Sequence, residues 1–230
     1  IAPAKNNTIQ AVVLADSFAT HFAPLTHHAP KMLMPIANVP VIEYTLEFLA
    51  SGGVEECFVF CCAHADMLRD YIRESQLHKR LASMALHVLV ARSACYSPGD
   101  ALREIEAMGV ITSDFVLVPG DVVANLPLAP ILEAHKSRRE LDRDAVLTTL
   151  MKRLPPQHRA RRAGEAALVA LSGETGRLLL FEEASRCGVV GHKLELPTAL
   201  LQETDQLQLH QGLYDTHIDI CAPELLVLLQ

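Results

Sequence analysis

Short, mostly apolar runs recur along the first two thirds of the chain. Five of them have the length of strands: residues 11–15, 57–62, 86–90, 115–118 and 145–150. In the first, second and fourth runs, polar residues do not alternate with apolar ones, which is typical of strands covered on both faces. Segments with apolar residues at helical spacing lie between the runs. This alternation predicts an α/β fold with a mostly parallel sheet flanked by helices.

The predicted helices have recognisable faces and ends. The first covers residues 41–50 and stops at the glycine pair 52–53. The second has four large residues predicted on one face, which are Met67, Leu68, Tyr71 and Ile72. Ser97 is predicted to cap the third, because a proline and then an acidic residue follow it. The fourth covers residues 127–140.

The pattern changes after residue 150. Residues 167–171 and 177–181 flank a Ser-Gly-Glu-Thr-Gly segment, which predicts a hairpin. A further strand is predicted at 216–221, and Pro223 is predicted to open a short helix. A length of 230 residues suits one large domain or two small ones. We take residues 1–9 as an N-terminal tail and 10–230 as one domain.

Composition narrows the functional classes. The net charge of −7 repels phosphate backbones, so a dedicated nucleic-acid binder is not expected. No run of about 18 uninterrupted apolar residues occurs, so no membrane span is expected. The basic segment 152–162 is interpreted as a solvated loop, because no aromatic residues interleave for base stacking. Contact of this loop with RNA or an acidic partner is the alternative.

The cysteines predict a reducing, cytoplasmic setting. Cys57, Cys61 and Cys62 lie in a predicted buried strand, where thiols behave as small apolar residues. Adjacent cysteines on a strand point to opposite faces, so Cys61 and Cys62 are not expected to share a metal with His64. The pair His27 and His28 lies in a proline-bounded loop and is predicted to be solvated.

The loop after the first strand contains the most informative residues. Residues 15–26 read A-D-S-F-A-T-H-F-A-P-L-T, which resembles the sugar-phosphate nucleotidyltransferase signature A-G-G-x-G-T-R-L-x-P-L-T without a gap. The framework positions match at Ala15, Thr20, Pro24, Leu25 and Thr26. Asp16, Ser17 and Ala19 replace glycines, and His21 replaces arginine. The resemblance implies a Rossmann-like nucleotidyltransferase fold.

These replacements weaken phosphate binding. Glycine lets backbone N–H groups approach a triphosphate, and a Cβ obstructs that approach. The carboxylate of Asp16 repels phosphate oxygens, and His21 lacks the fork that arginine offers. We therefore expect a vestigial nucleotide pocket without catalytic residues, bound metal or cofactor. Its predicted residues are Ala15, Asp16, Ser17, Phe18, His21, Lys31 and Asp121.

Two further segments continue the likeness. Residues 31–38, K-M-L-M-P-I-A-N, resemble the family's K-P-L-L-P-V-A-N, in which the lysine contacts substrate phosphate. Gly120 and Asp121 follow a predicted strand and resemble the family's Gly-Asp, whose aspartate binds Mg²⁺. The family takes a second metal carboxylate from a later strand, and the sequence assigns none. One carboxylate holds Mg²⁺ poorly.

Several segments are similar to the epsilon-type subunits of eukaryotic translation initiation factor 2B: residues 14–18, 35–39, 44–49, 58–62, 113–115 and 217–223. The resemblance implies a non-catalytic assembly or regulatory domain of a guanine-nucleotide exchange factor subunit. It implies a fragment of a longer subunit, with a β-helix and a helical-repeat domain that follows. The implied partners are the other subunits of the complex, in particular a gamma-like one, and the substrate GTPase factor. An active or sugar-nucleotide-sensing nucleotidyltransferase is the alternative.

Overall fold

The computed structural model describes residues 8–15, 22, 24–155, 158–159, 167–183 and 197–230. The chain divides into two compact units. The first contains the described residues up to Thr149 together with His217–Gln230, and the second is Leu150–Thr216. Within the described residues, no helix is long and apolar enough to cross a membrane.

A six-stranded sheet forms the centre of the fold. In chain order its strands are β1 (Gln10–Leu14), β4 (Glu56–Cys61), β5 (Ala85–Val90), β6 (Phe115–Pro119), β7 (Leu147–Arg153) and β11 (Leu213–Cys221). Their spatial order is β5-β4-β1-β6-β11-β7. The pairs β5–β4, β4–β1 and β1–β6 are parallel, whereas β11 is antiparallel to β6. The predicted α/β fold with a mostly parallel sheet is confirmed.

The helices of the first unit lie near their predicted positions, except for the four-residue helix Leu77–Arg80, which was not predicted. They are α1 (Val41–Ser51), α2 (Ala65–Glu74), α3 (Leu77–Arg80), α4 (Pro98–Met108), α5 (Ala129–Leu141) and α7 (Glu224–Leu228). The predicted cap of α4 is confirmed, because Ser97 Oγ accepts a hydrogen bond of 3.2 Å from the backbone N–H of Asp100. The helix ends at Gly109 in the left-handed conformation (φ 65°).

The buried face of α2 is narrower than predicted. Leu68 and Ile72, four residues apart, are buried and form its inner stripe. Met67 was expected on the same face but is 43% exposed. A step of one residue turns a helix by about 100°, so Met67 falls outside a stripe centred on its neighbour.

The core of the first unit joins the central strands to α4 and α7. It contains Val12, Phe60, Phe115, Ile105 and Leu226, all nearly inaccessible to solvent. The apolar runs that predicted β1, β4 and β6 therefore form strands that are buried on both faces of the sheet.

A short hairpin before α1 was not predicted. Its strands are β2 (Pro35–Ile36) and β3 (Val39–Pro40), joined by Ala37 and Asn38, both with positive φ. The hydroxyl of Tyr44 donates a 3.1 Å hydrogen bond to the carbonyl of Ile36 and braces the hairpin against α1. Strands of two residues are too short to show a period, so the sequence gives no signal for them.

The second unit contains a separate three-stranded antiparallel sheet. Its strands are β8 (Ala167–Ser172), β9 (Leu178–Glu183) and β10 (Leu207–His210), in the order β10-β8-β9. The predicted β8–β9 hairpin is confirmed, and Gly176 in its turn has a φ of 70°. The short helix α6 (Leu200–Glu203) and strand β10 were not predicted.

The predicted core thiols are confirmed in part. Cys57 and Cys61 are buried as predicted, and Cys221 of β11 is buried as well. Cys62 was expected inside the second strand, but β4 ends at Cys61 and Cys62 is half-buried. Burial raises the pKa of the Cys57 thiol well above its usual range, and it raises that of Cys221 likewise. Both are thiols at neutral pH and poor nucleophiles. Cys187 lies outside the described residues.

Candidate functional site

The carboxyl edge of β1 and β6 brings two predicted site residues to one place. The strands are parallel neighbours, and Leu14 pairs with Pro119. Just beyond this pair, the N–H of Gly120 donates to the carbonyl of Leu14 at 2.8 Å. Ala15, the next residue after β1, and Asp121 therefore leave the sheet at the same edge, where open parallel sheets bind ligands.

Gly120 lies in a closely packed part of this edge. A Cβ at this position would lie 3.3 Å from the carbonyl oxygen of Leu14 and 3.4 Å from the side chain of Met32. Met32, which replaces the family's proline, is 1% exposed and fills the space beside Gly120. A larger residue before Asp121 would require the strand end or Met32 to shift by a few tenths of an ångström.

Lys31 and Asp121 form an ion pair. Lys31 begins a short 3₁₀ helix, Lys31–Leu33, directly after Pro30. Its Nζ contacts Oδ2 of Asp121, and the two side chains are 24% and 30% exposed. The same Nζ lies 4.7 Å from the centroid of the Phe22 ring, a distance at which the ring attracts a cation. The ammonium is therefore held by a carboxylate and by an aromatic ring.

Thr45 on α1 fixes the Asp121 loop, and sequence reasoning missed it. This residue is fully buried. Its hydroxyl donates to the carbonyl of Val122 at 2.8 Å and lies 3.2 Å from the carbonyl of Gly120. The backbone is thus held by Thr45 on both sides of Asp121. The available signal was a hydroxyl on the apolar face of a predicted helix, because a buried hydroxyl needs a hydrogen-bond partner.

The remaining predicted pocket residues, Asp16, Ser17, Phe18 and His21, lie outside the described residues. The obstruction of a phosphate by their side chains therefore stays a prediction. His27 and His28 are exposed, as predicted for the proline-bounded loop.

The described residues do not fit a Mg²⁺ site at this edge. Oδ2 of Asp121 contacts an ammonium, which places a positive charge where the metal ion would bind. Asp219 is an acidic residue on β11, the strand beside β6, but it pairs in register with Leu117 rather than with the end of the strand. Across the described residues, no group of three or more His, Cys, Asp or Glu side chains is arranged to hold a metal.

A family model described as nucleotidyl transferase matches residues 10–158. The chain belongs to the nucleotidyltransferase family. Its fold is similar to that of UDP-glucose pyrophosphorylase in complex with UDP-glucose, with a TM-score of 0.65, 14% identity, and coverage of 96% of this chain and 79% of the other. A putative glucose-1-phosphate thymidylyltransferase from Bacillus anthracis gives a TM-score of 0.67 at 14% identity, covering 96% and 74%. At these identities the likeness shows the fold alone.

Curated relatives include initiation factor subunits. The chain is 39% identical to translation initiation factor eIF2B subunit epsilon of Schizosaccharomyces pombe, over 94% of this chain and 31% of the relative. It is 40% identical to the epsilon subunit of Dictyostelium discoideum, over 96% and 30%. The gamma subunit of S. pombe is 29% identical over 91% of this chain and 44% of its own length. The resemblance to epsilon-type subunits is confirmed, and this nucleotidyltransferase-family chain spans about a third of their length.

Proposed function

We propose that this chain is a non-catalytic assembly domain of a guanine-nucleotide exchange factor subunit that acts in translation initiation. The observation that carries the proposal is the ion pair between Lys31 and Asp121 at the carboxyl edge of the sheet. In the active members that the sequence resembles, the lysine would contact substrate phosphate and the aspartate would hold Mg²⁺. Here the lysine and the aspartate bind each other instead.

Electrostatics supports the absence of catalysis. A triphosphate that approached Lys31 would have to displace the carboxylate of Asp121 and then remain beside it. A like charge at about 4 Å costs roughly 1–4 kcal/mol, depending on the local dielectric. Catalysis of nucleotidyl transfer needs positive charge where the negative charge of the phosphate develops. Among the described residues, Lys31 is the cation that the family pattern places at this edge, and Asp121 neutralises it.

The relatives support the assembly role. Two relatives of 39% and 40% identity are named epsilon subunits of an initiation factor, and a gamma subunit also matches over most of the chain. We propose that residues 10–230 are the nucleotidyltransferase-like domain of a longer cytoplasmic subunit. Its partners are then a gamma-like subunit of the same family and, through the complex, a GTPase factor.

Two measurements on the 230-residue chain test the proposal. We expect no calorimetric binding of a nucleoside triphosphate with Mg²⁺, and no pyrophosphate release when sugar phosphates are added. We also expect stable co-purification with a gamma-type subunit after co-expression. Micromolar triphosphate binding that is lost in Asp121→Ala contradicts the non-catalytic reading, and failure to associate with a gamma-type subunit contradicts the assembly role.

The retained Lys31 and Asp121 favour one second candidate, a pocket that senses a sugar nucleotide without turning it over. Thermal-shift measurements against a panel of sugar nucleotides separate the two. A stabilisation that Lys31→Gln abolishes supports sensing, whereas no shift across the panel supports the assembly domain.

A further inference from the structure

A buried polar cluster lies around His135 of α5 in the first unit. The His135 side chain is 1% exposed. Its Nδ1 lies 2.7 Å from Oγ1 of Thr148 on β7, and its Nε2 lies 3.9 Å from a carboxylate oxygen of Asp114. Within the described part of the chain, Nε2 is buried without a hydrogen-bond partner. The proton arrangement of the ring is therefore decided by Thr148 on one side and Asp114 on the other.

The hydrogen bonds indicate where the imidazole proton lies. Arg138 donates a 2.8 Å hydrogen bond to Oγ1 of Thr148, and an arginine side chain only donates. The hydroxyl hydrogen of Thr148 is therefore available for donation, and Nδ1 of His135 is the acceptor beside it. Nε2 then carries the proton and directs it at the carboxylate of Asp114. The opposite tautomer would direct a lone pair at that carboxylate.

Burial is the main reason that the ring of His135 stays neutral, and the charged groups around it act in both directions. Arg138 and Arg139 lie on the same helix, Asp114 precedes β6, and Thr148 lies on β7. Glu224 of α7 is bound to Arg139 by hydrogen bonds of 2.9 and 3.1 Å, so it offsets that arginine rather than the ring. Burial lowers the pKa of His135, Asp114 opposes the shift, and the two arginines add to it.

We propose that the hydrogen bond from Thr148 to His135 is a proton-operated latch that fastens β7 to α5 and opens in mild acid. A second proton from solvent can enter the ring only at Nδ1. The hydroxyl of Thr148 must then turn and accept from two cations, His135 and Arg138, while its own hydrogen loses its acceptor. Thr148 lies two residues before Leu150, where the second unit begins. Opening therefore loosens the strand through which the chain leaves the first unit.

The direction of the pH effect follows from proton linkage. The open form exposes His135 and restores its ordinary pKa of about 6.5, whereas the closed form holds a lower pKa. The open form thus binds more protons below about pH 6.5. The latch is fully effective above that pH and weakens as the pH falls, with an opening constant that rises at most about tenfold per pH unit.

Hydrogen exchange and imidazole nitrogen NMR of the 230-residue chain test the latch. We expect the Nε2–H tautomer at pH 7.5. We also expect amide exchange in β7, scaled for intrinsic rates, to accelerate by up to about fivefold between pH 6.5 and 5.5. His135→Gln should lose this acceleration, while the exposed control His78→Gln on α3 should keep it. An Nδ1–H tautomer, a charged ring at pH 7.5, or an unchanged acid response in His135→Gln overturns the proposal.

A second variant keeps the test decisive if His135→Gln does not fold. Thr148→Val removes the hydroxyl and keeps the shape of the side chain. We expect fast exchange of β7 at both pH values, because the latch is absent, and rescue of slow exchange in Thr148→Ser. If Thr148→Val keeps both the slow exchange at pH 7.5 and the acid response, the latch does not exist.

Discussion

The substitution Asp121→Asn distinguishes a vestigial pocket from an active one by the sign of its effect. The amide has the shape of the carboxylate, and the loop is held through the backbone by Thr45, so the geometry of the edge should persist. What changes is the charge beside Lys31. If the ion pair blocks anions, the variant binds a triphosphate more tightly than the wild type. If Asp121 instead holds a catalytic Mg²⁺ ion, the variant binds the triphosphate with Mg²⁺ more weakly than the wild type.

The size of the expected gain follows from the geometry. One negative charge is removed at about 4 Å from an incoming phosphate, which amounts to ~1 kcal/mol in water and ~4 kcal/mol near a protein surface. The two side chains are 24% and 30% exposed, so solvent screens the pair and the lower part of that range applies. A gain of about 1–2 kcal/mol corresponds to roughly 5–30-fold in affinity. The stability lost with a partly exposed pair is only about 0.2–1 kcal/mol.

Isothermal titration with tripolyphosphate and with a nucleoside triphosphate, each with and without Mg²⁺, measures the effect. The double variant Lys31→Gln, Asp121→Asn is the control, because it retains the neutral amide but lacks the cation; we expect it to lose the gain. Equal triphosphate affinities for the wild type and Asp121→Asn would show that the ion pair does not hinder the binding of anions at this edge. A Mg²⁺-dependent affinity that drops in Asp121→Asn would refute the reasoning outright.

Two stability predictions follow from packing in the first unit. Gly52→Ala should lower the free energy of unfolding by about 1–3 kcal/mol, because the new Cβ would lie 2.4 Å from Cδ1 of Leu128, which is fully buried. Gln10→Leu should cost about 1–3 kcal/mol, because the 2%-exposed amide of Gln10 accepts from the N–H groups of Thr112 (2.8 Å) and Ser113 (3.1 Å), and leucine accepts from neither. Urea unfolding measures both.

Matched substitutions at open positions serve as controls. Gly99→Ala adds a Cβ with its nearest neighbour at 3.7 Å, so the midpoint should stay within experimental error or rise. Gln202→Leu on the exposed side of α6 should change stability by less than about 0.5 kcal/mol. If Gly52→Ala or Gln10→Leu unfolds at the wild-type urea concentration, the packing or hydrogen bond assigned to that residue is wrong.

The sequence predicted the central strands because burial on both faces leaves continuous apolar runs. The predicted start of the second strand at Cys57 is one residue from the observed start at Glu56. The elements that were missed are those without a period, such as the two-residue strands around Ala37 and the four-residue helix α3. Their positions depend on tertiary contacts, including the bond from Tyr44 to the hairpin.

The candidate site was predictable only as far as family likeness extends. Lys31 and Asp121 could be named from their motifs, but their direct pairing could not, because it depends on how a loop and a strand end meet in space. Thr45 was missed for the same reason. It grips carbonyl groups 75 and 77 residues further along the chain, and no local pattern encodes such a contact.

The grip of Thr45 on the carbonyls of Gly120 and Val122 separates the architecture of this edge from its chemistry. Because the helix holds only main-chain atoms, the side chain between them can change from metal ligand to salt-bridge partner while the surrounding surface keeps its contours. A family member can thus lose a metal ligand at this position while the backbone around it keeps its conformation.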